Sequence, residues 1–275
     1  MFSKFLNRYS DAGAADGAKL FPIFRVVFGP YNLFIDNARR FFAIGGIFAL
    51  IMTVVFMLLG QNVMCSFEDV RNVFCSNNPW VYLVSKLIGL GLIAVFAVRL
   101  YQITYQDVAF SWKNLFKLQL RDAKAAGALL AYLLLNMISL LSIYALYVRV
   151  PNPDWRIELC YFAVVSVGFL VPFVLLRFYS LLAFVLAGEK FPSLKYIWQN
   201  TAGNGLRLVF SFALIFCILV FSLNAVANNF RLVALENTIY ISFIAEYLFN
   251  LVLLLNMTFF VNYCYLQKNF LFGEK

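Results

Sequence analysis

The chain has 275 residues, of which 63% are hydrophobic, 19% aromatic and only 13% charged, against about 25% charged in a typical soluble domain. Its formal charge is +9, from 22 Lys and Arg against 13 Asp and Glu, and it has no histidine. The apolar content excludes an ordinary soluble globular protein; the absence of His removes the commonest metal ligand and the side chain that titrates nearest neutrality, which argues against most hydrolase and metalloenzyme mechanisms.

The first 40 residues carry no short apolar segment with a small-residue cleavage site, so they are expected to stay in the mature protein. Phe2, Phe5, Leu6 and Tyr9 share one helical face, and Tyr31, Phe34, Ile35 and Ala38 repeat that spacing beyond breaks at Phe21-Pro22 and Gly29-Pro30. Residues 1–40 are therefore predicted to form short cytoplasmic helices lying in the headgroup layer, the alternative being a partly disordered tail, especially across Ser10 to Gly17.

Six apolar runs reach the length of roughly 20 residues that a helix needs to cross the hydrocarbon core. They are Phe41 to Gly60, Val81 to Tyr105, Ala125 to Val148, Leu159 to Ala187, Leu206 to Ala227 and Ile239 to Leu266. The fourth is longer than one perpendicular crossing, so its inner end is expected to bend onto the interface. The predicted class is an all-α membrane protein with a six-span domain over 41–266 and a short cytoplasmic tail over 267–275.

Orientation follows from the basic residues in the connections. Seventeen Lys and Arg fall on the side of the termini and four on the other, with Lys86 inside a span. Both termini are thus expected in the cytoplasm. The basic excess is a topology signal, and no nucleic-acid partner is expected.

Cys65 and Cys75 lie ten residues apart in the first outer loop, where a disulfide would persist, and are predicted to bond. Cys160 is the competing partner, while Cys217 and Cys264 read as small apolar core residues. No cysteine spacing matches a zinc signature, and no cofactor is expected.

The most informative pattern is a duplicated elbow after the second and fourth spans. Val98-Arg99-Leu100-Tyr101 is followed by Ser111-Trp112-Lys113-Asn114-Leu115-Phe116-Lys117; Leu176-Arg177-Phe178-Tyr179 is followed by Ser193-Leu194-Lys195-Tyr196-Ile197-Trp198-Gln199. Each copy reads Arg-x-Tyr, then an amphipathic Ser-x-Lys-x-x-(Phe or Trp), then a return into the membrane. At 1.5 Å per residue both Arg99 and Arg177 lie roughly 27 Å below the outer surface. There an arginine can snorkel to phosphates while the elbow rests its aromatic face on acyl chains.

The second copy, from Arg177 through Gly188-Glu189, Lys190, Lys195 and Trp198 to Thr201-Ala202-Gly203-Asn204, resembles the elbow of YciC-like bacterial inner-membrane proteins. It is similar too to the membrane domain fused to some glycerophosphodiester phosphodiesterases. The match covers about 30 residues, and the first copy departs from it at Arg121-Asp122-Ala123. The resemblance implies a six-helix fold and an inner-membrane location, and it implies no activity.

Ionisable residues inside spans are default functional candidates. Lys86 and Glu246 both fall roughly 8 to 10 Å below the outer surface, at a depth that would let them pair. Asn136 and Asn250 fall about mid-bilayer, where hydrogen bonding between helices is their ordinary use. No nucleophile and base arrangement or phosphate loop appears, so the chain is expected not to be an enzyme.

The leading expectation is a protein that organises or binds lipids or partner membrane proteins, with Lys113, Lys117, Lys190 and Lys195 on anionic headgroups. The alternative is a small-solute or lipid transporter using Lys86, Glu246, Asn136 and Asn250. Transport predicts a polar cavity between spans two, three and six; the organiser predicts a dry bundle.

Overall fold

A computed structural model describes residues 21–60, 78–106, 108, 111–149, 177, 179–233 and 239–272. Every element among them is helical: α1 (Ile23–Leu58), α2 (Pro79–Tyr105), α3 (Trp112–Phe116), α4 (Leu120–Arg149), α5 (Ser180–Ala187), α6 (Leu194–Asn200), α7 (Gly205–Val233) and α8 (Ile239–Leu271). The Cys65 and Cys75 pair, Cys160 and the first twenty residues lie outside the described residues.

Among the described residues, four helical stretches are long and apolar enough to cross a membrane: Ala38–Leu58, Trp80–Tyr105, Gly205–Asn229 and Tyr240–Leu271. They bury only between 22% and 44% of their apolar windows inside the protein. Outward-facing Leu50, Leu87, Phe210 and Phe221 thus need an apolar solvent, and the protein is a membrane protein. These stretches match the expected first, second, fifth and sixth spans. The third expected span lies on α4, a continuous helix of 30 residues; most of the fourth lies outside the described residues.

Local chemistry starts the helices where the sequence suggests. Asn78 caps α2 by accepting a hydrogen bond from the Trp80 amide at 2.9 Å, with Pro79 in the first turn, where its missing N–H costs nothing. Ser193 does the same for α6 through the Tyr196 amide at 3.2 Å.

α8 is the hub, packed against α1, α2, α5 and α7, while α4 leans on α2 and α5. Aromatic rings fill the joints. Phe96 of α2 meets Phe41 and Phe48 of α1 edge-on, and Tyr179 meets Tyr132 of α4, Phe212 of α7 and Phe260 of α8.

Two expectations change. Gly29-Pro30 does not end a helix: α1 runs through it without interruption for 36 residues. Pro30 has no N–H to give the carbonyl of Val26, four residues earlier. Asn262 of α8 supplies the donor instead, its Nδ2 lying 3.3 Å from the Val26 oxygen and 3.0 Å from that of Arg25. Tyr105 fixes that amide by donating to its Oδ1 at 2.8 Å. A Cβ on Gly29 would sit 3.2 Å from the Asn262 nitrogen, so glycine is what permits the approach.

The inner end of the fourth run also departs from a bend onto the interface. It is α5, with Leu182 to Ala187 buried, because it packs on α2, α4 and α8 rather than on the membrane surface.

Candidate functional site

The first elbow is built around Arg99, 3% exposed near the C-terminal end of α2. Its guanidinium has five N–H donors, and the fold supplies an acceptor for each. Nε donates to the Leu115 carbonyl at 3.3 Å; one terminal nitrogen reaches Gln102 at 3.2 Å and Asp122 Oδ1 at 3.0 Å; the other reaches the Lys117 carbonyl at 2.6 Å and Asp122 Oδ2 at 2.7 Å. Asp122 in turn accepts from the Gln119 amide at 2.7 Å, in the first turn of α4.

Arg99 therefore does not snorkel to phosphates, as its sequence position suggested. It is spent inside the protein, because the elbow's own carbonyls and a carboxylate reach it first. Leu115 is buried behind it. Lys113 and Lys117 are exposed, beside the exposed Phe116, Leu118 and Leu120.

The second elbow uses the same residue types with different bonds. Arg177 is buried, and its guanidinium lies 4.3 Å from the ring centre of Trp198, a cation–π contact. Ile197 is buried where the first elbow has Leu115. Lys190 and Lys195 are exposed, beside Phe191, Leu194, Tyr196 and the outer face of Trp198.

Asn204 points inward rather than to the headgroups. Its Oδ1 accepts from the Phe21 amide at 2.8 Å, and Arg207 donates to the Phe21 carbonyl at 3.3 Å. Together they fasten the start of α1 to the start of α7.

The two elbows are tied to each other at Gly188. Its φ of 80° puts it in the left-handed region that ends α5. Arg121, from the first elbow, lies directly over it and donates to the Leu186 carbonyl at 3.4 Å and to Gln106 at 3.1 Å. Gln106 completes the cap by donating to the Ala187 carbonyl at 2.9 Å. Next to this turn, Glu189 forms an ion pair with Lys268 of α8. A positive guanidinium at the negative end of α5 is electrostatically favourable.

Within the bilayer, Glu246 and Asn250 come together. Asn250 donates to Glu246 Oε1 at 2.9 Å and approaches the Thr53 hydroxyl of α1 at 3.2 Å, with all three side chains buried. Lys86 is not part of this group. It is exposed, its ammonium 5.0 Å from the ring centre of its neighbour Tyr82, and the ion pairs of the described residues do not include it. The side chain of Asn136 lies outside the described residues. Cys217 is exposed on α7, so it faces outward rather than into the core; Cys264 is buried.

Sequence reasoning missed Thr53, Asn262 and Asn256, which bonds Ser222 of α7 at 2.9 Å. The signal was present: α8 carries an asparagine at 250, 256 and 262, inside an otherwise apolar run.

Two apolar cavities open between the helices. One, about 380 Å³, lies between α4 and α5; the other, about 200 Å³, lies between α2, α4, α7 and α8. Lys86, Glu246 and Asn250 line neither. Comparison of the chain with protein-family models, with curated proteins and with solved structures finds no match in any of the three.

Proposed function

We propose that the protein is a non-enzymatic, multi-pass protein of a bacterial inner membrane that binds and organises anionic lipids at the cytoplasmic face. One observation carries this reading. Each elbow turns its arginine inward to hold its own backbone or ring in place, and turns its lysines outward beside large exposed apolar side chains. That is the surface a headgroup layer accepts: cations at phosphate level, with rings and leucines below it. The 17-to-4 distribution of basic residues supports a cytoplasmic leaflet for both elbows, and so does the resemblance to YciC-like proteins.

The test is lipid selectivity of the full chain in vesicles, read from motionally restricted spin-labelled phosphatidylglycerol against phosphatidylcholine. The wild type is expected to favour phosphatidylglycerol, and changing Lys113, Lys117, Lys190 and Lys195 to Gln to abolish most of that preference, at about 1 kcal/mol per lysine. Equal selectivity in the two proteins sinks the reading.

The transport alternative draws on the buried Glu246, Asn250 and Thr53 group. It requires that Glu246→Gln change a solute flux through reconstituted vesicles while the fold stays intact.

A further inference from the structure

The larger cavity is a groove whose wall is one face of α4, with Gly127, Ala131 and Leu135 following Lys124 at helical spacing; Leu182 of α5 and Phe191 form the opposite wall. The small residues make the depth, and among the described residues the lining is apolar except at its end. There Lys124 is exposed and has no ion-pair partner among the described residues. The neighbouring acid, Asp122, is already neutralised by Arg99.

The floor of the groove is the edge-on pair Tyr132 and Tyr179, with ring centres 4.4 Å apart. The same two rings line the second cavity, which continues toward Ile93, Phe212 and Phe260. From Lys124 to Leu135 the groove runs roughly 16 Å along the helix at 1.5 Å per residue. It is charged at the cytoplasmic end and apolar beyond.

We infer that this groove binds one acyl chain of an anionic phospholipid of the cytoplasmic leaflet, its phosphate held by Lys124 and its chain laid against Gly127, Ala131 and Leu135. In a membrane protein a groove walled by the exposed Ala131 and Leu135 meets acyl chains as its natural solvent; the exposed Lys124 at its end adds selection for an anionic lipid. The inference rests on the lipid-binding reading above and adds a defined site to it. The elbow lysines contact headgroups from the surface, whereas the groove holds a single lipid by its tail as well.

The experiment is native mass spectrometry of the full chain released from vesicles of equal phosphatidylglycerol and phosphatidylcholine, with the number and class of retained lipids counted. The wild type is expected to keep one phosphatidylglycerol. Lys124→Gln, at an exposed position that leaves packing alone, is expected to lower the preference for phosphatidylglycerol at that site about fivefold, the worth of one lysine beside an anionic surface.

Ala131→Trp, which fills the groove, is expected to remove the retained lipid of either class; Ala128→Leu gives the same loss in part if the larger side chain disturbs folding. The elbow variant with four lysines replaced keeps the retained lipid. Unchanged retention in both Lys124→Gln and Ala131→Trp overturns the groove. So does an Ala131→Trp variant that separates a dimer while the lipid count stays constant, since a second copy would then be the occupant. If the elbow variant changes lipid selectivity and the groove variants do not, the groove alone is wrong; if none does, the lipid reading itself falls.

Discussion

Arg99 and Asp122 meet fork to fork, two nitrogens against two oxygens at 3.0 and 2.7 Å, with both side chains almost wholly buried near the C-terminal end of α2. The pair joins the end of α2 to the start of α4 across the elbow. Burying two charges gains little over burying two apolar side chains, but leaving one charge alone is expensive. Asp122→Ala is therefore expected to destabilise by about 3 to 5 kcal/mol. The double variant Arg99→Met with Asp122→Leu should lose less than either single change, because no lone charge is left behind. Unfolding in mixed micelles, followed by circular dichroism, measures the cycle; strictly additive losses would count against a buried pair.

The join between Pro30 and Asn262 gives a test in which one defect cancels another. Asn262→Leu removes the donor for the Val26 and Arg25 carbonyls and is expected to cost about 1 to 3 kcal/mol. Pro30→Ala restores an N–H to the helix itself, so adding it to Asn262→Leu should recover most of the loss. The same unfolding measurement decides, and no recovery would mean that Asn262 acts on something other than the proline gap.

These two joins mark where the sequence stops being legible. Apolar run length located the helices at Ala38–Leu58, Trp80–Tyr105, Gly205–Asn229 and Tyr240–Leu271 to within a few residues, because crossing a membrane is a property of a continuous segment. The continuity of α1 was hidden, since a proline reads as a local break and the donor that remedies it lies 236 residues beyond the Val26 carbonyl. Arg99 read as a lipid contact for the same reason: its carboxylate partner is 23 residues further on, in α4 beyond the short α3. Lys86 and Glu246 were matched by depth alone, and depth does not say which way a side chain faces. The exposed lysines and rings of the elbows were legible because amphipathic spacing is local.

Gly188 predicts a coupled pair. A Cβ there would lie 2.0 Å from an Arg121 nitrogen, and φ of 80° disfavours any side chain. Gly188→Ala is expected to cost about 1 to 2 kcal/mol from the backbone alone, with a further loss from displacing Arg121 off the Leu186 carbonyl and Gln106. In an Arg121→Ala background only the backbone part should persist. A Gly188→Ala loss of equal size in both backgrounds would show that Arg121 does not sit there.

The intramembrane group should be worth less than its burial suggests. Hydrogen bonds between helices in bilayers average about 0.6 kcal/mol and reach about 1.7. Thr53→Val is expected within that range, and Glu246→Gln, which keeps an oxygen for Asn250, within about 1 kcal/mol. A loss above about 3 kcal/mol for Glu246→Gln, in the same micelle measurement, would mean that the negative charge itself is part of the folded state.

The amide that closes α1 arrives late. During synthesis α1 is made with the Val26 carbonyl unanswered by Pro30, and its donor follows 236 residues afterwards. Until α8 is made, that end of α1 must be wetted or held by something else, since a buried carbonyl with no donor is costly. The first helix of the described residues is thus completed by the last of them, and that end of the bundle closes only in one concluding step.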